Sequence, residues 1–112
     1  MELTSKFGLF GTRTRTNILL LLSLLGESHA AELSRLLGTS LSNVQKTLDS
    51  LEQVGVVSGV VTGRERRVSL NPRYFAQQEL GALLTKMSLA SPELVEKTAE
   101  LRRRPRRAGK AL

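Results

Sequence analysis

The 112-residue sequence predicts a mostly helical α+β fold with one short β-hairpin. Residues 30–53 hold two patterns of apolar residues at helical spacing, divided by Gly38. Residues 56–70 hold two runs rich in β-branched residues, divided by Gly63. Helix, turn, helix and hairpin in this order form a winged helix-turn-helix. We therefore expect a three-helix core, a β-hairpin wing and additional C-terminal helices.

The first helix is predicted from Thr12 or Thr14, either of which can cap it, to about Leu25, where Gly26 follows as a stop signal. Its leucines cover more than one face, which is typical of a helix buried on several sides. The apolar run within it is far shorter than the roughly 20 residues that cross a bilayer. Because residues 26–29 also lack a convincing signal-peptide cleavage site, we expect a cytoplasmic protein without a membrane partner.

The second and third helices form the predicted helix-turn-helix. The second begins near Ser28 or His29 and ends at Gly38, with an inner stripe of Ala30, Leu33 and Leu37. The third is capped by Ser40 and runs to about Gln53, before Gly55. Its apolar residues share one face at helical spacing: Leu41, Val44, Leu48 and Leu51.

The hairpin is predicted from residues 56–61 and 66–70, with Gly63 in the turn. Val68 and Leu70 fall on one face of the second strand. Asn71-Pro72 ends this strand, because proline has no N–H to donate to a ladder.

Two more helices are predicted beyond the hairpin. The fourth spans about residues 75–89, with a stripe of Ala76, Leu80, Leu83 and Met87. The fifth opens at Ser91-Pro92-Glu93 as N-cap serine, proline and early carboxylate, and carries Leu94, Thr98 and Leu101 on one face. The stripes of the first, fourth and fifth helices exceed what a small wing domain covers, so we expect a homodimer joined through terminal helices.

The net charge of +7 is concentrated at the C-terminus. Six of the 17 basic residues lie in residues 102–110, which leaves 11 basic against 10 acidic groups in residues 1–100. This segment is interpreted as a flexible arm attracted to a polyanion or, alternatively, as a disordered solubilising tail. The absence of cysteine excludes disulfides and thiolate metal sites.

The pattern from Glu32-Leu33 to Val57 resembles the helix-turn-helix of bacterial and archaeal winged-helix regulators of the arsenical-repressor and MarR type. Its matching positions are Leu37-Gly38, Ser40, Val44, Leu48, Leu51 and Gly55. Residues 63–70, GRERRVSL, look like their wing. The resemblance covers about residues 12–75 and implies that the third helix enters the DNA major groove while the wing reaches the adjoining backbone or minor groove. We accordingly expect an N-terminal arm at 1–11, a DNA-binding domain at 12–75, dimerisation helices at 76–101 and a basic tail at 102–112.

Four residues of the third helix have side chains suited to reading DNA. Asn43 and Gln45 pair a donor with an acceptor, as recognition of an adenine edge requires. Lys46 can meet guanine or a phosphate, and Ser42 suits a phosphate at the helix N-terminus. A solvated polar face is also what any amphipathic helix shows, so these residues alone do not decide the function.

The hairpin tip adds three arginines, Arg64, Arg66 and Arg67, that can neutralise phosphates. Glu65 at the tip and Asp49 on the third helix oppose strong phosphate affinity, and can instead repel wrong registers. The order of the two elements favours nucleic acid as the partner.

Neither a cofactor nor catalysis is expected. Metal-sensing members of the type carry cysteine or histidine clusters, whereas His29 is the only histidine here and is interpreted as a helix-start residue. The sequence also offers no Gly-rich phosphate loop, no nucleophile with a base partner and no inward pair of carboxylates, so we expect no enzyme.

The sequence thus predicts a sequence-specific regulator of transcription that binds double-stranded DNA, a dimeric repressor of a prokaryotic cytoplasm. Its recognition helix would be about residues 41–53 and its wing residues 62–67. The alternative is a winged-helix protein-interaction module. Residues 63–86 also resemble modules joined to small nucleotidyltransferase domains, and such a domain would here be a separate partner.

Overall fold

A computed structural model describes residues 10–103 of the chain. Most of the predicted N-terminal arm (1–11) and of the basic tail (102–112) lies outside the described residues. Within them the elements are α1 (Arg13–Leu25), β1 (Glu27–Ser28), α2 (Ala30–Leu37), α3 (Leu41–Gln53), β2 (Val57–Thr62), β3 (Glu65–Leu70), α4 (Gln77–Ser88) and α5 (Pro92–Arg103). This order confirms the predicted α+β, mostly helical winged helix-turn-helix with C-terminal helices.

Helix α1 is the centre of the core. Its five residues from Ile18 to Leu22 are at most 2% exposed, because α2, α3, α4, α5 and β3 all pack around it. Thr12 caps the helix by accepting a hydrogen bond from the Arg15 backbone N–H at 3.0 Å. The prediction of a helix buried on several sides is therefore correct. No helix in the described part of the chain has the length and apolarity that a membrane span needs.

The turn between α2 and α3 is built by local backbone chemistry. Gly38 takes a left-handed φ of 65° at the end of α2, and the Ser40 hydroxyl caps α3 by accepting from the Asn43 N–H at 3.1 Å. One expectation for α3 is wrong, because Leu41 is 45% exposed. It lies at the edge of the apolar stripe and lines an open groove with Gln45 and Arg64 instead of entering the core.

The hairpin has the predicted strands and a two-residue loop. Thr62 pairs with Glu65, and Gly63 in the loop has φ 64°, which favours glycine in such tight turns. The sequence did not reveal β1, which pairs antiparallel with β3 and gives the strand order β1-β3-β2. Two residues carry no alternating pattern, so only the pairing itself defines this strand.

The C-terminal helices pack on α1. Helix α4 buries Leu84, Met87 and Ser88, so the predicted stripe through Leu83, which is 39% exposed, is wrong by one position. Residues 80, 84, 87 and 88 also have helical spacing, and they form the side that faces α1.

Helix α5 begins at Pro92 as predicted and buries Leu94 and Thr98. The Ser91 hydroxyl, however, makes no hydrogen bond within residues 10–103, so it does not act as the expected side-chain cap. Helices α1 and α5 cover each other within one chain. Their apolar faces are therefore not evidence for a dimer. Phe75, Leu83 and Leu89, in and beside α4, stay exposed.

Candidate nucleic-acid interface

The four predicted reading residues of α3 lie together on its solvent face. Ser42, Asn43, Gln45 and Lys46 are all exposed, whereas Val44, Leu48 and Leu51 anchor the opposite face in the core. The helix is thereby anchored to the core on one side while its polar side stays open. One flank of this polar side borders the start of α1 and the other borders the hairpin.

Asn43 is the most restrained of the four. Its Nδ2 donates to Thr39 Oγ1 at 3.1 Å and to Thr14 Oγ1 at 3.3 Å. Bidentate reading of adenine uses both the donor and the acceptor of an amide. Asn43 must therefore give up at least one of these hydrogen bonds to read a base in that way, whereas Gln45 has no such bond to release within the described residues.

The flank toward α1 carries residues that the sequence reasoning did not include. The guanidinium of Arg15 donates from Nη1 to Ser50 Oγ at 2.9 Å. Arg15 and Ser50 line an open groove with Lys46 and Thr47. A signal was present in the sequence: the first turn of α1 has arginines and no acidic residue, a charge pattern that opposes the helix dipole.

The flank toward the wing is more acidic than the sequence indicated. Arg66 Nη1 lies 2.9 Å from Asp49 Oδ1 and 3.7 Å from Glu52 Oε1, both on α3. Only Arg64, in the loop between the strands, is an exposed wing arginine without a partner among the described residues. Arg64 and Arg66 both line one open groove with Gln45 and Asp49 of α3, and of these two arginines only Arg66 is paired with carboxylates of α3.

Arg67 is tied to the short strand β1. Its Nε lies 3.0 Å from Glu27 Oε2 and its Nη1 lies 3.3 Å from Glu65 Oε1. Burial alone would lower the pKa of Arg67, but the hydrogen bonds to Glu27 and Glu65 and their negative charges outweigh it and raise that pKa above its usual range. His29, at the start of α2 as predicted, places Nδ1 3.2 Å from the other oxygen of Glu65. The described residues bring no three metal-ligating side chains together.

The fold is a winged helix-turn-helix in which helix α3 is flanked by one basic and one mixed-charge side. No protein-family model matches the sequence, and no curated protein matches it. The likeness to known proteins is found in solved structures.

Several solved structures share the fold, among them the following three. The adhesin competence repressor AdcR of Streptococcus pyogenes has a TM-score of 0.62 and 19% identity, over 88% of this chain and 72% of that one. A double mutant of Lactococcus lactis ZitR in its apo form has a TM-score of 0.56 and 24% sequence identity, over 83% of this chain and 73% of that one. A MarR family transcriptional regulator of Silicibacter pomeroyi has a TM-score of 0.55 and 18% sequence identity, over 83% of this chain and 64% of that one. This chain therefore has the winged-helix fold of MarR-type transcription regulators, while the arsenical-repressor type stays a prediction.

Proposed function

We propose that this chain is a sequence-specific regulator of transcription that binds double-stranded DNA. The observation that carries the proposal is the position of the exposed polar face of α3 between two cationic groups. Arg15 and Lys46 lie on the side of α1, and Arg64 lies on the side of the wing. A helix that enters a major groove has a phosphate backbone on either side, so cations on both flanks fit this target.

In the proposed complex α3 (residues 41–53) lies in the major groove and the wing (residues 62–67) meets the backbone or the adjoining minor groove. Gln45, which is exposed and has no hydrogen bond to any described residue, is the first candidate for reading adenine. Lys46 contacts guanine or a phosphate, and Ser42 contacts a phosphate near the start of α3. Asn43 contributes after exchange of its bond to Thr14 or Thr39.

We further propose a homodimer that presents two copies of α3 to a two-fold related site and represses by blocking access of a polymerase in a prokaryotic cytoplasm. The exposed apolar side chains of Phe75, Leu83 and Leu89 support an interface that includes α4, since they are 90%, 39% and 75% exposed in one chain. Sedimentation at micromolar concentration should show a dimer. Leu83→Glu should weaken it, whereas Thr85→Glu, at an exposed position of the same helix, should not. A persistent monomer contradicts this part of the proposal.

Selection of bound duplexes from a random DNA pool tests the central proposal. We expect one enriched motif and two-fold related half-sites. Binding to that motif should weaken in Lys46→Ala and fall with rising salt, because cation–phosphate contacts release counterions. Duplex affinity that ignores both salt and Lys46→Ala would contradict DNA binding and favour the protein-interaction module.

A further inference from the structure

We propose that Asp49 and Glu52 of α3 hold Arg66 of β3 to position the wing, so that Arg64 is the wing arginine that contacts phosphate. The three charged residues are called the wing brace (Asp49, Glu52 and Arg66). The inference rests on the proposed function for its DNA part. The brace itself is a property of the folded chain and can be tested without DNA.

The first argument is the geometry of the brace. Arg66 Nη1 lies 2.9 Å from Asp49 Oδ1 and 3.7 Å from Glu52 Oε1, and its side chain is one third exposed. Asp49 and Glu52 are three residues apart on α3, hence on neighbouring turns of one face. The guanidinium thus joins the recognition helix to the hairpin across 17 positions of sequence.

The second argument is the space above Gly59, which pairs with Val68 in the sheet. A Cβ at this position would overlap the Glu52 carboxylate. Glycine therefore leaves room for Glu52 to lie against the hairpin, where it reaches Arg66. A side chain at position 59 would require the Glu52 carboxylate to move from its place beside Arg66.

The third argument is electrostatic. Arg66 faces Asp49 and Glu52, and Arg67 faces Glu27 and Glu65, so four carboxylates surround two guanidiniums. A phosphate that approached either guanidinium would have to displace carboxylates that already bind it, and would be repelled by them. Arg64 has no carboxylate partner among the described residues and is exposed in the turn.

The brace sets the distance between α3 and the wing, and hence where Arg64 meets the backbone when α3 lies in the groove. Gln45 and Asp49 line the open groove together with Arg64. A shift of the hairpin would therefore change the placement of α3 against base edges as well as the wing contact. Asp49 is a positioning residue in this scheme, and its loss should lower discrimination between sites more than general affinity for DNA.

The test measures the salt dependence of binding to a duplex selected from a random pool, by fluorescence anisotropy. Arg64→Ala should reduce the slope of log affinity against log salt by about 1, the loss of one phosphate contact. The double variant Asp49→Asn with Arg66→Gln removes the pair at constant net charge. It should keep the slope of the unmodified chain, but lower the ratio of affinity for the selected duplex over a scrambled one. A drop in slope of about 1 that also occurs when the double variant is made in the Arg64→Ala chain would overturn the proposal, because Arg66 would then be a phosphate ligand in its own right.

The brace is tested without DNA by amide hydrogen exchange in β2 and β3. Asp49→Asn and Arg66→Lys should both speed exchange in the hairpin while leaving α1 protected, since only the wing loses a contact. Unchanged exchange in both variants would overturn the positioning role. Failure of the unmodified chain to bind any duplex would instead contradict the proposed function, so the two failures are distinguishable.

Discussion

Replacement of Leu48 by alanine should show how much the core behind α3 contributes to the stability of the fold. Leu48 is fully buried, so Leu48→Ala removes about three carbon groups at about 0.8 kcal/mol each. The cavity left behind adds to this loss, for a total of about 3 to 4 kcal/mol. A domain of this size has a stability of about 5 to 15 kcal/mol, so the variant should still fold but with a much smaller margin.

Leu41→Ala is the matched control, because it makes the same chemical change in the same helix at a side chain that is 45% exposed. With about half of the transfer energy and no closed cavity, it should cost about 1 kcal/mol. Urea unfolding followed by circular dichroism measures the loss of unfolding free energy in both variants. At a slope of about 1.5 kcal/mol per M, Leu48→Ala should lower the midpoint by about 2 M and Leu41→Ala by less than about 1 M. Equal losses in the two variants would refute the assignment of Leu41 to the surface groove.

Three further changes probe caps, turns and the α1 flank. Ser40→Ala should cost about 1 kcal/mol of unfolding free energy in urea by removing the α3 cap, and Ser42→Ala, which loses no such bond, should stay within about 0.5 kcal/mol. Gly38→Ala should destabilise by about 1 kcal/mol because its φ is 65°, whereas Gly81→Ala, inside α4 with open space around it, should stabilise by up to about 1 kcal/mol. A gain in stability in both glycine variants would contradict the positive φ of Gly38. Arg15→Ala should reduce the salt slope of DNA binding by about 1, and an unchanged slope would remove Arg15 from the interface.

The parts of the fold that sequence predicted are those that local chemistry decides. Thr12 and Ser40 cap helices because their hydroxyls reach an N–H three residues on. Gly38 and Gly63 mark turns because they take a positive φ. These interactions need only a few neighbouring residues, so their signals can be read without knowing the fold.

The parts that sequence could not predict depend on which surface meets which. Strand β1 exists only because Glu27 and Ser28 pair with β3 some 40 residues away. Leu83 and Leu84 are both apolar and adjacent, and the position of α1 decides that Leu84 is buried while Leu83 is 39% exposed. A helical period allows two overlapping stripes, and tertiary packing selects one of them.

The electrostatics of the wing depend on tertiary neighbours in the same way. Read along the chain, residues 64–67 hold three arginines against Glu65, which predicts a strongly cationic tip. The fold brings three more carboxylates to these arginines, two from α3 and one from β1. The wing arginines therefore form a group of three cations with four carboxylates. Under the proposal, Arg64, which has no carboxylate partner among the described residues, matters more for DNA contact than the net charge of the group. A count of basic residues identifies the wing as a candidate DNA contact, but only the pairing shows why Arg64 and Arg66 should respond so differently to salt.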